Sequence, residues 1–302
     1  METDGGGRRR EASVDVTPSE QTVRAAYELA NPCRICPRLC EVNRLAGEMG
    51  YCGVAGPPLV SSVGPHYGEE QPLVGVGGSG TIFLAGCNLL CAFCQNYDIS
   101  HGRAGRAAEP ARVAEMMLAL ERRGCENINF VTPTHVVPWL MDAVRRARLA
   151  GLSVPIVYNC GGYEMVETLR LLEGTVDIYM PDAKFWDPDV AFQYTGARDY
   201  PDRMRAALKE MHRQVGVLQI EDGVARRGLL VRHLVMPNGV AGSKEVLRFI
   251  ADEISPDTYV NVMDQYRPLY QARRHAEIAR PITVEEFGEA YQYAGGLGLN
   301  LL

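Results

Sequence analysis

The sequence lacks any apolar run of the ~18 residues that a membrane-spanning helix needs. Its N-terminus also has no apolar segment of the secretory-signal type. Basic residues are not in excess: 31 Lys and Arg stand against 37 Asp and Glu, a net charge of -6. That balance argues against a broad footprint for nucleic acid or an anionic membrane. Tryptophan is scarce, with two residues, and aromatics make up only 8% of the chain. Nine cysteines in 302 residues are too few for a disulfide scaffold. Seven of them fall in two clusters at ligand-like spacings, which points to metal in a reducing compartment. The cytoplasm is the expected location. Hydrophobic residues at 46% and charged residues at 23% are ordinary for a globular chain able to bury a core.

Residues 1–16 are polar, charged and Gly-rich and read as a disordered tail. Thr17-Pro18-Ser19-Glu20 reads as a capping box, so a helix is expected to follow to about Ala30. Residues 17–76 form a first unit: that helix, a Cys-rich segment and an irregular connector. Residues 77–302 form the second. There, short apolar runs (81–85, 127–132, 155–159, 176–180, 229–235 and 258–263) alternate with helical stretches (111–123, 136–150, 163–173, 202–214, 243–253 and 284–294). Gly124, Gly151 and Gly174 stand where helix C-caps are wanted. Thr283-x-x-Glu286 is a further capping box. The alternation predicts an α/β fold with a parallel sheet, and the continuous apolar strands predict burial on both faces. Six βα units fit a partial barrel or an open doubly wound sheet. Either arrangement puts the site at the C-terminal strand ends.

The first run leads directly into Cys87-x3-Cys91-x2-Cys94. Three thiolates hold three irons of a cubane [4Fe–4S] cluster and leave the fourth iron without a protein ligand. A structural zinc site needs four ligands, and a ferredoxin-type carrier needs a fourth cysteine. His101 has no recognised spacing for that part. Upstream, Cys33, Cys36, Cys40 and Cys52 make a closed set of four among glycines. This reads as a second metal site, either structural zinc or an auxiliary iron–sulfur cluster. Spacing does not separate the two, although four thiolates in a Gly-rich loop lean toward zinc.

The segment Cys87–Cys94, with Phe93 before the last cysteine, resembles the radical S-adenosylmethionine (SAM) superfamily signature. A wider resemblance is to the pyruvate formate-lyase activating enzyme-like subgroup with an N-terminal cysteine module. It rests on Cys33-Arg34-Ile35-Cys36-Pro37-Arg38-Leu39-Cys40, Gly78-Ser79-Gly80-Thr81-Ile82-Phe83, Asn129-Phe130-Val131-Thr132-Pro133-Thr134-His135 and Tyr158-Asn159. Further along it rests on Tyr179-Met180-Pro181-Asp182-Ala183-Lys184, Arg227-Gly228-Leu229-Leu230-Val231-Arg232-His233 and Gln265-Tyr266-Arg267-Pro268.

The resemblance implies a partial (β/α)6 TIM-type barrel. It implies SAM bound at the open iron, reductive cleavage to a 5′-deoxyadenosyl radical, and hydrogen-atom abstraction from a substrate. It also implies an electron donor such as flavodoxin or ferredoxin, and a substrate that is either a glycine in a partner protein or a small metabolite. Phe93 would pack on adenine; Asn159 would contact SAM, or be a plain turn residue before Gly161-Gly162; Asp182 with Lys184 would orient SAM or substrate, or form a buried salt bridge closing the barrel. The usual glycine-glycine-glutamate segment is absent, and Thr132-Pro133-Thr134-His135 stands in its place. Thr132 or Thr134 is then a candidate to supply an oxygen and His135 to face the site, the alternative being that Thr134 caps the following helix. Of the strand neighbours Arg232 and His233 only one can face inward, and His233 is the one expected. Cys160, where the subgroup has a small hydroxyl residue, is expected to be a buried residue more than a hydrogen-atom donor. Gln265, Tyr266 and Arg267 are expected at the rim. The competing expectation is an iron–sulfur electron carrier or a metal-stapled interaction protein.

Overall fold

The computed structural model describes residues 17–302, so the expected tail at 1–16 lies outside the described residues. Ten strands form one sheet: β1 (Leu59–His66), β2 (Ser79–Ala85), β3 (Arg106–Ala107), β4 (Ile128–Val131), β5 (Ile156–Cys160), β6 (Ile178–Pro181), β7 (Gln219–Glu221), β8 (Val224–Leu234), β9 (Tyr259–Met263) and β10 (Asn300–Leu301). The path runs β10-β9-β8-β6-β5-β4-β2-β1-β3, with β7 hairpinned on β8. Along the path from β2 through β4, β5, β6 and β8 to β9 every pairing is parallel, as six continuous apolar runs separated by helices require, while the β7–β8 hairpin is antiparallel. The fold is α/β with a mostly parallel sheet, as in a partial barrel.

The helices are α1 (Glu20–Glu28), α2 (Gln71–Val74), α3 (Tyr97–Ser100), α4 (Pro110–Arg122), α5 (Val137–Leu149), α6 (Val166–Leu171), α7 (Pro188–Thr195), α8 (Tyr200–Val215), α9 (Ser243–Phe249) and α10 (Val284–Gly296). Helix α10 has the full capping box of Thr283 and Glu286. Helix α1 corrects a detail: its N-cap is Ser19, whose hydroxyl accepts from Thr22 N–H, and not Thr17. None of the helices among the described residues is long and apolar enough to cross a membrane.

Strand alternation sorts the core into two clusters. Val157 of β5, Ile178 and Met180 of β6, and Leu230 of β8 pack together with Leu73 of α2. The larger cluster lies between the sheet and the helices and includes Tyr158, Tyr179 and Val231. Successive strand residues thus take opposite faces. Leu73 plugs the N-terminal edge of the inner face, where Asn127 Nδ2 donates to its carbonyl at 2.8 Å. Glu70, just before α2, accepts from Asn261 of β9 at 3.1 Å. The segment read as an irregular connector therefore crosses from β1 to the far side of the sheet. Its strand β1 was not legible because Gly64 and Pro65 interrupt the run, which suits a strand near the sheet edge.

Candidate active site

At the C-terminal strand ends lies a cavity of about 250 Å³. Cys87, Cys91 and Cys94 all border it, together with Phe93, Thr132, Asn159, Asp182, Lys184 and Arg232. The loop carrying the cysteines leaves β2 at Gly86, whose φ of +82° suits glycine. A Cβ there would sit 2.5 Å from Val54 and 2.8 Å from the Cys52 carbonyl. The N-terminal module and the central loop therefore touch at this residue.

The three thiols fit the ligand set of a site-differentiated [4Fe–4S] cluster. They share one cavity wall, and the described cysteines are all free of disulfides. Burial pushes the Cys87 thiol up, and Leu89 and Leu90 N–H groups pull it back. Burial likewise pushes Cys91 up, against the pull of the Lys184 ammonium. Cys94 Sγ lies 3.1 Å from Ser100 Oγ, which lies 2.9 Å from His101 Nδ1. His101 therefore sits behind Ser100, a residue that the sequence reading passed over.

Opposite the thiols is an ion network. Arg232 donates from Nε to Asp182 Oδ1 at 2.8 Å and from Nη2 to Asn159 Oδ1 at 2.7 Å. Lys184 Nζ donates to Asp182 Oδ2 at 2.5 Å. Burial alone would push the Asp182 carboxyl up, but Arg232 and Lys184 reverse that and hold it below its ordinary value. Burial alone would pull Lys184 down, but Asp182 and the Cys91 thiolate hold it above. Glu69 adds a second carboxylate to the wall, raised by burial in spite of Arg232. No sequence motif marked Glu69.

Three expectations need correction. His233 does not face the cavity. Its fully buried ring lies 2.6 Å from the Ala183 carbonyl and 2.8 Å from Ser243 Oγ, on the helix side of β8. Arg232 takes the inward position, alongside Leu230 and Leu234 at the same parity. Thr134 does not border the cavity either. It donates to Glu164 Oε1 at 2.5 Å, in a buried group with Tyr158. His135 is fully buried, with Nε2 3.0 Å from the Ala85 carbonyl. Thr132 does border the cavity, and at φ +61° it holds a conformation unusual for a β-branched residue. Such strain gathers at functional sites.

Phe93 is buried on the wall, edge-on to Phe185 at 5.8 Å and tilted to Tyr266 at 6.1 Å. Gln265 and Tyr266 border the cavity, whereas Arg267 turns to its neighbour's carbonyl. Cys160 borders it too, but its thiol hydrogen-bonds Glu164, and burial drives that carboxyl up to about 7.

In the N-terminal module, burial pushes the Cys36 thiol up, and Cys52, Cys33 and Cys40 lie close enough to add to it. The Arg44 guanidinium is fully buried 3.9 Å from Cys52 Sγ. Among the described residues no group of three or more His, Cys, Asp or Glu side chains converges as around a single metal ion.

A cavity at the C-terminal ends of a parallel sheet, walled by a three-cysteine loop and an ion network, offers three thiol ligands to a [4Fe–4S] cluster. The chain carries a radical SAM superfamily domain: that family's sequence profile matches residues 81–220. It is 33% identical over 289 residues to an uncharacterized protein of Methanocaldococcus jannaschii, MJ0674, spanning 93% of this chain and 79% of that one. A second uncharacterized protein of the same organism, MJ0808, is 25% identical over 294 residues, spanning 88% of this chain and 81% of its own.

Proposed function

We propose that this radical SAM enzyme is an oxidoreductase of the pyruvate formate-lyase activating enzyme-like subgroup, abstracting a hydrogen atom from a glycine in a partner protein. The observation that carries the reading is the meeting of Cys87, Cys91 and Cys94 with Asn159, Asp182, Lys184 and Arg232 on one cavity. When bound, the [4Fe–4S] cluster supplies the electron that cleaves SAM to methionine and a 5′-deoxyadenosyl radical. Cys87, Cys91 and Cys94 would hold three of its irons; the remaining described thiol that lines the cavity, Cys160, lies beside Glu164.

The chain's own groups then do the positioning. Arg232 and Lys184 offer cationic donors to a carboxylate, and Asp182 keeps both in place. Asn159 and Thr132 offer polar contacts at neighbouring strand ends. Phe93 offers an apolar ring for an adenine to rest on. The sheet path does not close on itself, since β3 and β10 end it, and an open edge suits entry of a polypeptide loop. A flavodoxin or ferredoxin would supply the electron. The reading includes a second metal, zinc or iron–sulfur, on Cys33, Cys36, Cys40 and Cys52, and its support is their spacing in the sequence.

Anaerobic reconstitution with iron, sulfide, dithionite and SAM tests the reading. It predicts 5′-deoxyadenosine from the intact chain and none from Cys91→Ala. Deuterium from a glycine-labelled partner should appear in that product. Cleavage that survives Cys91→Ala would refute the ligand assignment. Deuterium transfer from a small metabolite, and from no protein, would refute the glycine substrate.

A further inference from the structure

Arg38 lies in the N-terminal module, yet its side chain spends its hydrogen bonds on the central loop. Nε donates to the Asn88 carbonyl at 2.8 Å, and Nη2 reaches the Leu89 carbonyl at 3.5 Å. The same guanidinium donates to the Thr195 carbonyl at 2.7 Å and the Gly196 carbonyl at 2.7 Å, at the end of α7. Its plane lies 3.8 Å over the Tyr51 ring, with the Tyr163 ring at 5.3 Å. An arginine so placed has little rotational freedom left, and a lysine cannot reproduce its fork.

Asn88 and Leu89 lie between Cys87 and Cys91. In a trans peptide the C=O of one residue and the N–H of the next point in opposite directions. Pulling the Asn88 carbonyl toward Arg38 therefore turns the Leu89 N–H the other way. That N–H donates to Cys87 Sγ at 3.3 Å. The Leu89 carbonyl also faces Arg38, within reach of Nη2 at 3.5 Å. Leu90 accepts a φ of +52°, an uncommon conformation for a leucine.

We propose that Arg38 is a positioning residue for the cluster: by holding the Asn88 carbonyl it aims the Leu89 N–H at Cys87 and so raises the cluster's reduction potential. Hydrogen bonds to cluster sulfurs are an established lever on that potential. The inference rests on Cys87 being a cluster ligand, and it does not depend on which metal, if any, the N-terminal thiols hold. It gives that module a part in the chemistry through Arg38.

The test is a potentiometric titration of the reconstituted full-length protein, followed by electron paramagnetic resonance, for the wild type and Arg38→Met. Iron and sulfide are counted on each sample. With iron retained, Arg38→Met should need a more reducing solution. A tenfold fall in the reduced-to-oxidised ratio at fixed potential corresponds to ~59 mV for one electron. Arg38→Lys, which keeps the charge without the fork, should fall between the two. If either variant retains its iron and titrates with the wild type, the proposal fails. A second measurement covers variants that do not fold: electron–nuclear double resonance of the wild type after exchange into deuterated water. Exchangeable deuterons coupled to the cluster are expected at the Cys87 side, and their absence overturns the proposal. A wild-type protein that assembles no cluster would instead refute the site reading beneath it.

Discussion

Arg232 Nε meets Asp182 Oδ1 at 2.8 Å, and the two residues sit opposite each other across the β6–β8 pairing. Each stabilises the other's charge against burial. Asp182 is held below its ordinary range, and Arg232 is held above its own despite the desolvation that opposes it. Lys184 and Asn159 complete the group.

Removing one member of an isolated buried pair typically costs ~3–5 kcal/mol, but without Arg232 the Asp182 carboxylate still keeps Lys184 as a partner. Arg232→Met should therefore lower stability by less than that amount, and should weaken SAM binding. Arg232→Lys should retain most of the stability but still bind SAM more weakly, because the ammonium cannot serve Asp182 and Asn159 together. Chemical denaturation with equilibrium dialysis of labelled SAM checks both.

His233 gives the opposite pattern. Burial holds its pKa down, to about 4, despite the Ala183 carbonyl, so it is neutral at pH 7. His233→Ala should destabilise the fold by ~1–3 kcal/mol, the cost of leaving buried partners unsatisfied. The SAM dissociation constant should stay unchanged. A large loss of SAM affinity at wild-type stability would put the ring in the cavity after all.

Glu164 makes stability depend on pH in a set direction. Burial raises its carboxyl from 4.5 to about 7, with Thr134, Tyr158 and Cys160 pulling it back only in part. The folded state thus binds the proton more tightly than the unfolded state. The contribution is fully present below pH ~4.5 and is lost as pH rises through about 7. At one pKa unit per 1.36 kcal/mol the loss is ~3 kcal/mol. The stability difference between wild type and Glu164→Gln, followed by fluorescence of Trp139 and Trp186, should shift by that order between pH 4.5 and 8. His135 and His233 titrate in both proteins and cancel in the difference.

The parallel strands were legible because each is buried on two faces and so reads as an unbroken apolar run. Strand β1 was not, since its alternation is broken by Gly64-Pro65. The cysteine loop was legible from spacing alone. The inward choice between Arg232 and His233 was not, because alternation says that only one residue faces in and leaves open which. The clue lay on the next strand: Asp182 at a strand end needs a cation, and the register sets Arg232 beside it. The same alternation sends Tyr158 outward and Asn159 inward. Glu69 and Arg38 were hidden for a different reason. Each acts far from its sequence neighbours, and only the crossing of the N-terminal segment over the sheet brings them to the site.

The central claim is that three thiols, Cys87, Cys91 and Cys94, leave one iron open toward Asn159, Asp182 and Arg232. Mössbauer spectroscopy of the protein reconstituted with iron-57, with and without SAM, reads this directly. One iron per chain should change its isomer shift on SAM addition, and Cys87→Ala should abolish the change. A spectrum in which every iron is unaffected by SAM would contradict the account.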